Sequence, residues 1–164
     1  MQVELNDFYE ELFQEIHQSA DADGEYTEDA FFELFCEHLV TAGELATADR
    51  AQYLSPRGLR IDGYGGDPIE NGGVLNLIIA DYRQSPEIGT LTATEMNAIF
   101  KRATNFLTKA LDPTFRNQLE ETAPAFGLAD LIATRWPQTI KVRILLISNQ
   151  ILSSGVDGRE AGVI

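Results

Sequence analysis

The most constraining feature of this sequence is the run Val74-Leu75-Asn76-Leu77-Ile78-Ile79-Ala80, set immediately behind Asn71-Gly72-Gly73. Seven residues rich in branched apolar side chains, interrupted only by Asn76 and preceded by a tight-turn signal, describe a strand buried on both faces. A strand of that kind needs a layer of structure above it and another below it. The expected fold class is therefore α/β, a central mixed sheet with helices packed on both sides. The run lies between Leu59-Arg60-Ile61-Asp62, which alternates apolar and charged residues, and a long amphipathic segment that begins near Thr92.

The helical segments can be read from spacing and caps. Residues 5–20 place Phe8, Leu12, Phe13 and Ile16 at helical intervals, with Asn6 as an N-cap. A polar stretch, residues 19–26, separates this helix from a second one capped by Thr27. The second helix carries Phe31, Phe32, Leu34, Phe35, Leu39 and Val40 and is closed by Gly43. Thr92 and Glu95 form a capping box, and the apolar pattern from Met96 to Leu111 then runs for about five turns. Asp112-Pro113 stops that helix and starts a short one over 114–121. Another helix covers 128–136 and halts at Pro137, and 140–147 form a last buried strand. Gly63–Gly66 is expected as the hairpin turn between the strand at 59–62 and the strand at 74–80. From Ser148 to Ile164 no closing element is evident.

With 164 residues the chain fits a single domain, 1–164, and the open tail suggests that it is cut from a longer protein. One cysteine, Cys36, excludes an internal disulfide and points to the cytoplasm; the acidic N-terminus is no signal peptide, and no apolar run could span a membrane. The net charge of −14 repels phosphates on average, and no block of Lys or Arg offsets it, which argues against strong unaided nucleic-acid binding. A crowd of aromatics near the N-terminus (Phe8, Tyr9, Phe13, Phe31, Phe32, Phe35) suggests a homo-oligomer.

Several local patterns have plain readings. Asp21-x-Asp23-Gly24 lacks the glutamate a calcium loop needs six residues after its glycine, where Ala30 stands. His17 and His38 have no ligand or nucleophile pattern around them, and Cys36 lies among Phe32, Phe35 and Leu39 as a small core residue. Gly63-Tyr64-Gly65-Gly66 has no following lysine and lies between strands, so it is no phosphate loop.

The pattern with chemical content is Arg60-Ile61-Asp62-Gly63 followed by Ala80-Asp81-Tyr82-Arg83. A hairpin carrying an acid on one strand and polar groups at the end of the next can converge on one Mg²⁺. The order α-β-β-α-β with these positions resembles the core of restriction-endonuclease-like, PD-(D/E)xK nucleases. The resemblance implies that Asp62 is the first metal acid, that Asp81 supplies the second, and that Glu33 or Glu37 is an assisting acid on the preceding helix. Arg83 then falls where those nucleases have lysine. Arginine stays charged and cannot act as a general base, although it can steady phosphate charge.

A second resemblance covers almost the whole chain. Phe35-x-x-x-Leu39-x-x-x-Gly43-Glu44-Leu45, Gly58–Tyr64, Leu75–Arg83, Leu91-Thr92-x-x-Glu95, Arg102-Ala103-x-x-Phe106-Leu107 and the strand Val142–Ser148 occur in order. Together they resemble the N-terminal region of bacterial abortive-infection phage-resistance (AIPR) proteins. The resemblance implies a role in antiviral defence and a C-terminal portion of the same protein as partner. Two functions remain open: a degenerate nuclease-like binding and assembly module, or an Mg²⁺-dependent nuclease acting on nucleic acid.

Overall fold

The computed structural model describes residues 2–23, 26–85 and 87–152. Two helices, α1 (Gln2–Asp23) and α2 (Thr27–Thr41), precede three strands, β1 (Asp49–Ser55), β2 (Leu59–Tyr64) and β3 (Val74–Asp81). A short β4 (Thr90–Leu91) leads into α3 (Ala93–Ala110), α4 (Pro113–Asn117) and α5 (Phe126–Arg135); β5 (Lys141–Ser148) and β6 (Ile151–Leu152) follow. The main sheet has the order β1-β2-β3-β5, with β1/β2 and β2/β3 antiparallel and β3/β5 parallel. β4 and β6 form a separate parallel pair.

The expected α-β-β-α-β order is present as α2-β2-β3-α3-β5, enlarged by α1, β1 and the helices after α3. β3 takes the central place that its composition requires. Leu75, Leu77 and Ile79 join Ala103, Phe106 and Leu107 of α3 and Leu128 and Ile132 of α5 in one core. Ile78 and Ala80 join Ile16 of α1 and Phe31, Phe32 and Cys36 of α2 in another. The period-two alternation of the strand sorts successive side chains into the two layers, and each fully buried Leu or Ile contributes about 1.5–3 kcal/mol.

Several sequence expectations need correction. β1 was not anticipated: only Ala51 of its seven residues is buried, because this edge strand presents most of its length outward. The hairpin turn starts later than expected, since β2 runs through Gly63 to Tyr64. Gly63 belongs in the strand because a Cβ there would lie 2.4 Å from Phe32 Cζ and 2.5 Å from the Asp49 carbonyl oxygen. The turn proper uses Gly72 and Gly73 at φ of 66° and 86°, a region closed to most side chains. α1 begins at Gln2, so Asn6 is interior to it, and Tyr26 rather than Thr27 is the N-cap of α2, with no side-chain capping bond. The short helix stops at Asn117, and the one expected at 128–136 runs Phe126–Arg135. Ile151 and Leu152 pair with β4, so the segment after Ser148 does contain an element; the rest of that tail lies outside the described residues.

The aromatic surplus is mostly used within the chain. Tyr9, Phe31 and Phe32 are buried, Phe13 and Phe35 are half-buried, and Phe8 stands out at 62% exposure. Among the described residues no helix is long and apolar enough to cross a membrane.

Candidate functional site

Asp62 sits where two irregularities of the sheet coincide. On one side β1 pairs Arg50 with Gly63 and Tyr53 with Ile61, so Ala51 and Gln52 stand opposite Asp62 alone, a β-bulge. On the other side the paired residues of β2 and β3 are Gly63 with Ile78 and Tyr64 with Leu77. Next to that ladder the Ala80 N–H donates to Asp62 Oδ2 at 2.8 Å, so a side-chain carboxylate takes the part of a backbone carbonyl.

The Asp62 side chain is only 1% exposed, and its charge is answered by two guanidiniums. Arg60, two residues before it on β2, donates from Nε to Oδ2 at 3.2 Å and from Nη2 to Oδ1 at 3.4 Å. Arg50 of β1 places Nη1 3.5 Å from Oδ1 and 3.4 Å from the Asp62 carbonyl oxygen. Arg50 is itself held by Asp29 of α2 at 2.8 Å and stacks over the Phe32 ring, 4.6 Å from its centroid. Three hydrogen bonds, from Arg60 and the Ala80 amide, and the Arg50 guanidinium at 3.5 Å take up most of the acceptor capacity of this buried carboxylate.

Asp81 and Arg83 belong to a different set of partners. Ser148, the register partner of Asp81 on β5, donates from Oγ to Asp81 Oδ2 at 3.3 Å. Arg83 Nε lies 3.5 Å from the same oxygen, and its Nη2 pairs with Glu95 in the first turn of α3. Asn149, 7% exposed, fixes the Arg83 backbone: its Oδ1 accepts from Arg83 N at 3.0 Å and its Nδ2 donates to Arg83 O at 2.8 Å. This amide side chain continues the β3/β5 ladder one step beyond its last backbone pair. Tyr9 of α1 ties into the same corner by donating to the Ser85 carbonyl at 2.7 Å.

Glu95 also completes the expected capping box. Its N–H donates to Thr92 Oγ1 at 3.1 Å, and the Thr92 hydroxyl donates to Glu95 Oε1 at 3.0 Å. That hydroxyl, and after it the Arg83 guanidinium, hold the Glu95 carboxyl below its ordinary range. Glu37 is exposed on α2, where it lines a shallow groove of about 390 Å³ together with Phe32, Glu33, Val40 and Arg50. Cys36 borders the same groove, but burial pushes its thiol up to about 11, so it stays protonated at neutral pH.

The donors around Asp62 do not fit a hard dication as they stand. A magnesium ion wants free carboxylate oxygens, and those of Asp62 lie within 3.5 Å of two fixed cations. Among the described residues no group of three or more His, Cys, Asp or Glu side chains is placed to hold a metal ion. Arg50 and Asn149 were not singled out in the sequence, and Glu95 only as a helix cap. Only the folded chain brings β1, α3 and the bend at Asn149 to the acids, and the sole local signal was the Thr92/Glu95 cap.

The fold and this corner define an α/β sheet domain whose strand-end acids are paired with arginines. A family model described as the abortive infection phage resistance protein N-terminal domain matches residues 31–161. The chain belongs to that family and is thus part of an abortive-infection phage-defence protein. No curated protein and no solved structure matches it.

Proposed function

We propose that this domain works in phage defence as a degenerate nuclease-like module for binding and assembly, in the cytoplasm, with the C-terminal portion of the same protein as its partner. The observation that carries this reading is the neutralisation of Asp62. The residue that would be the first metal acid of a restriction-endonuclease-like core is buried against Arg50, Arg60 and the Ala80 amide. Metal binding there would have to displace both guanidiniums from a buried carboxylate, at a cost of several kcal/mol. At Arg83 the side chain in the place of a catalytic lysine is permanently charged and engaged by Asp81 and Glu95.

The test is a Mg²⁺ and Mn²⁺ titration followed by melting temperature, with wild type, Asp62→Ala and Asp62→Asn compared. A degenerate site gives the same small metal dependence in all folded variants. A rise in wild type that Asp62→Asn lacks would establish a metal site by mass action. It would reinstate the competing reading, an Mg²⁺-dependent nuclease with Asp62 and Asp81 as ligands, Glu37 as helix acid and Arg83 steadying phosphate charge. That competing reading is supported by strand order rather than by donor geometry.

A further inference from the structure

Two helices on opposite sides of the sheet, α1 and α3, carry opposite charge. α1 contains no Lys or Arg, and Asp7, Glu10, Glu11 and Glu15 are exposed along it. Phe8 sits among them at 62% exposure. α3, after Glu95 in its first turn, has no further acid, and it exposes Lys101, Arg102 and Lys109. Such a stripe is unusual in a chain of net charge −14. Arg50, Arg60, Arg83, Arg116, Arg135 and Arg143 are all held in ion pairs. Among the described residues Lys101, Arg102 and Lys109 are in none.

We infer that the basic face of α3 docks the acidic face of α1 of a second copy of this chain. Within one copy the two helices cannot meet, because α1 packs in the core on one side of the sheet and α3 in the core on the other. Contact between copies is therefore head-to-tail, a heterologous interface that repeats into an open chain or closes into a ring. The spacings agree. Lys101 and Lys109 are eight residues apart on α3, as are Asp7 and Glu15 on α1, and both pairs span about 12 Å of helix.

Phe8 supplies an apolar anchor that exposed ion pairs alone lack; each such pair is worth about 1 kcal/mol or less. At 0.15 M salt the repulsion between two acidic copies is screened beyond about 8 Å, whereas touching pairs persist. Nucleic acid fits the stripe less well, because three cations neutralise few phosphates and the rest of the chain repels them. The inference supplies the assembly half of the function proposed above with a partner and a surface. Its test does not touch the Asp62 corner, so the two can fail separately.

Sedimentation velocity over a concentration series at 0.15 M salt reads the association directly. Wild type is expected to shift to larger species as concentration rises. The exposed double variants Lys101→Glu/Lys109→Glu and Asp7→Lys/Glu15→Lys, each checked for an unchanged melt, should each lose association by about tenfold or more. Mixing the two variants restores opposite charges across both surfaces and should restore the larger species. A wild type that stays monomeric at every concentration overturns the inference. So do variants that associate like wild type, or a mixture that remains monomeric. A monomeric wild type that binds an oligonucleotide through Lys101 and Lys109 overturns it in favour of nucleic acid.

Discussion

Asp62 and Asp81 stand near the ends of neighbouring strands, yet the fold treats them in opposite ways. Asp62 is sealed into the sheet, with two guanidiniums and a backbone amide around a side chain that water hardly reaches. Asp81 stays partly open, in a network of hydrogen bonds and more exposed ion pairs running through Ser148, Arg83, Asn149 and Glu95. The first arrangement is structural in its energetics, since removing one partner leaves buried charge unanswered. The second is a positioned surface whose charged members, Asp81, Arg83 and Glu95, can exchange partners with solvent. Two similar acids on paired strands therefore need not make one site, and the deciding variable is which cations the neighbouring elements bring.

The contrast is broken most forcefully at Asp62. Asp62→Ala strands Arg60 and the Ala80 amide and leaves Arg50 to Asp29 alone, and should cost about 3 kcal/mol, the low end for a broken buried pair because the arginines keep a quarter of their surface in water. Urea unfolding measures it, and a loss below 1 kcal/mol would mean that the arginines relax freely into solvent. Gly63→Ala, one residue on, should cost about 2 kcal/mol by forcing a methyl against Phe32 and the Asp49 carbonyl. A neutral result in thermal melts would show that β1 and α2 can yield there. At the open corner Asn149→Ala should cost about 1–2 kcal/mol and speed hydrogen exchange at the Arg83 amide. Unchanged exchange at that amide would separate Asn149 from the ladder.

The smallest effect concerns Glu95. Its carboxyl is held low, so its contribution to stability is present above the unfolded value, about 4.3, and fades as pH falls through the lower folded value. Arg83→Gln should move the Glu95 titration upward, toward the ordinary carboxylate range, as followed by NMR. A titration that does not move would leave Thr92, through its hydroxyl and its backbone, as the cause.

Legibility followed the range of the forces involved. β3 was readable because its two-sided burial is written in consecutive residues, and α3 because the Thr92 cap and the Met96–Leu111 stripe are local patterns. β1 was not readable, because a bulged edge strand with one buried residue has no clean alternation. Gly63 looked like turn chemistry, although its smallness serves the close approach of Phe32 instead. The position of Asp62 near the paired strand β3 was foreseeable, whereas its partner Arg50, and the Asp29 that holds Arg50, come from 12 and 33 residues away along the chain.

By itself the sequence determined the two-layered sheet domain and its family, since both depend on apolar periodicity and on short motifs that survive in order along the chain. Only the tertiary structure decided what the acids do. The state of a carboxylate depends on the charges and hydrogen-bond donors within a few ångströms, and at Asp62 those come from β1 and β3 as well as from its own strand.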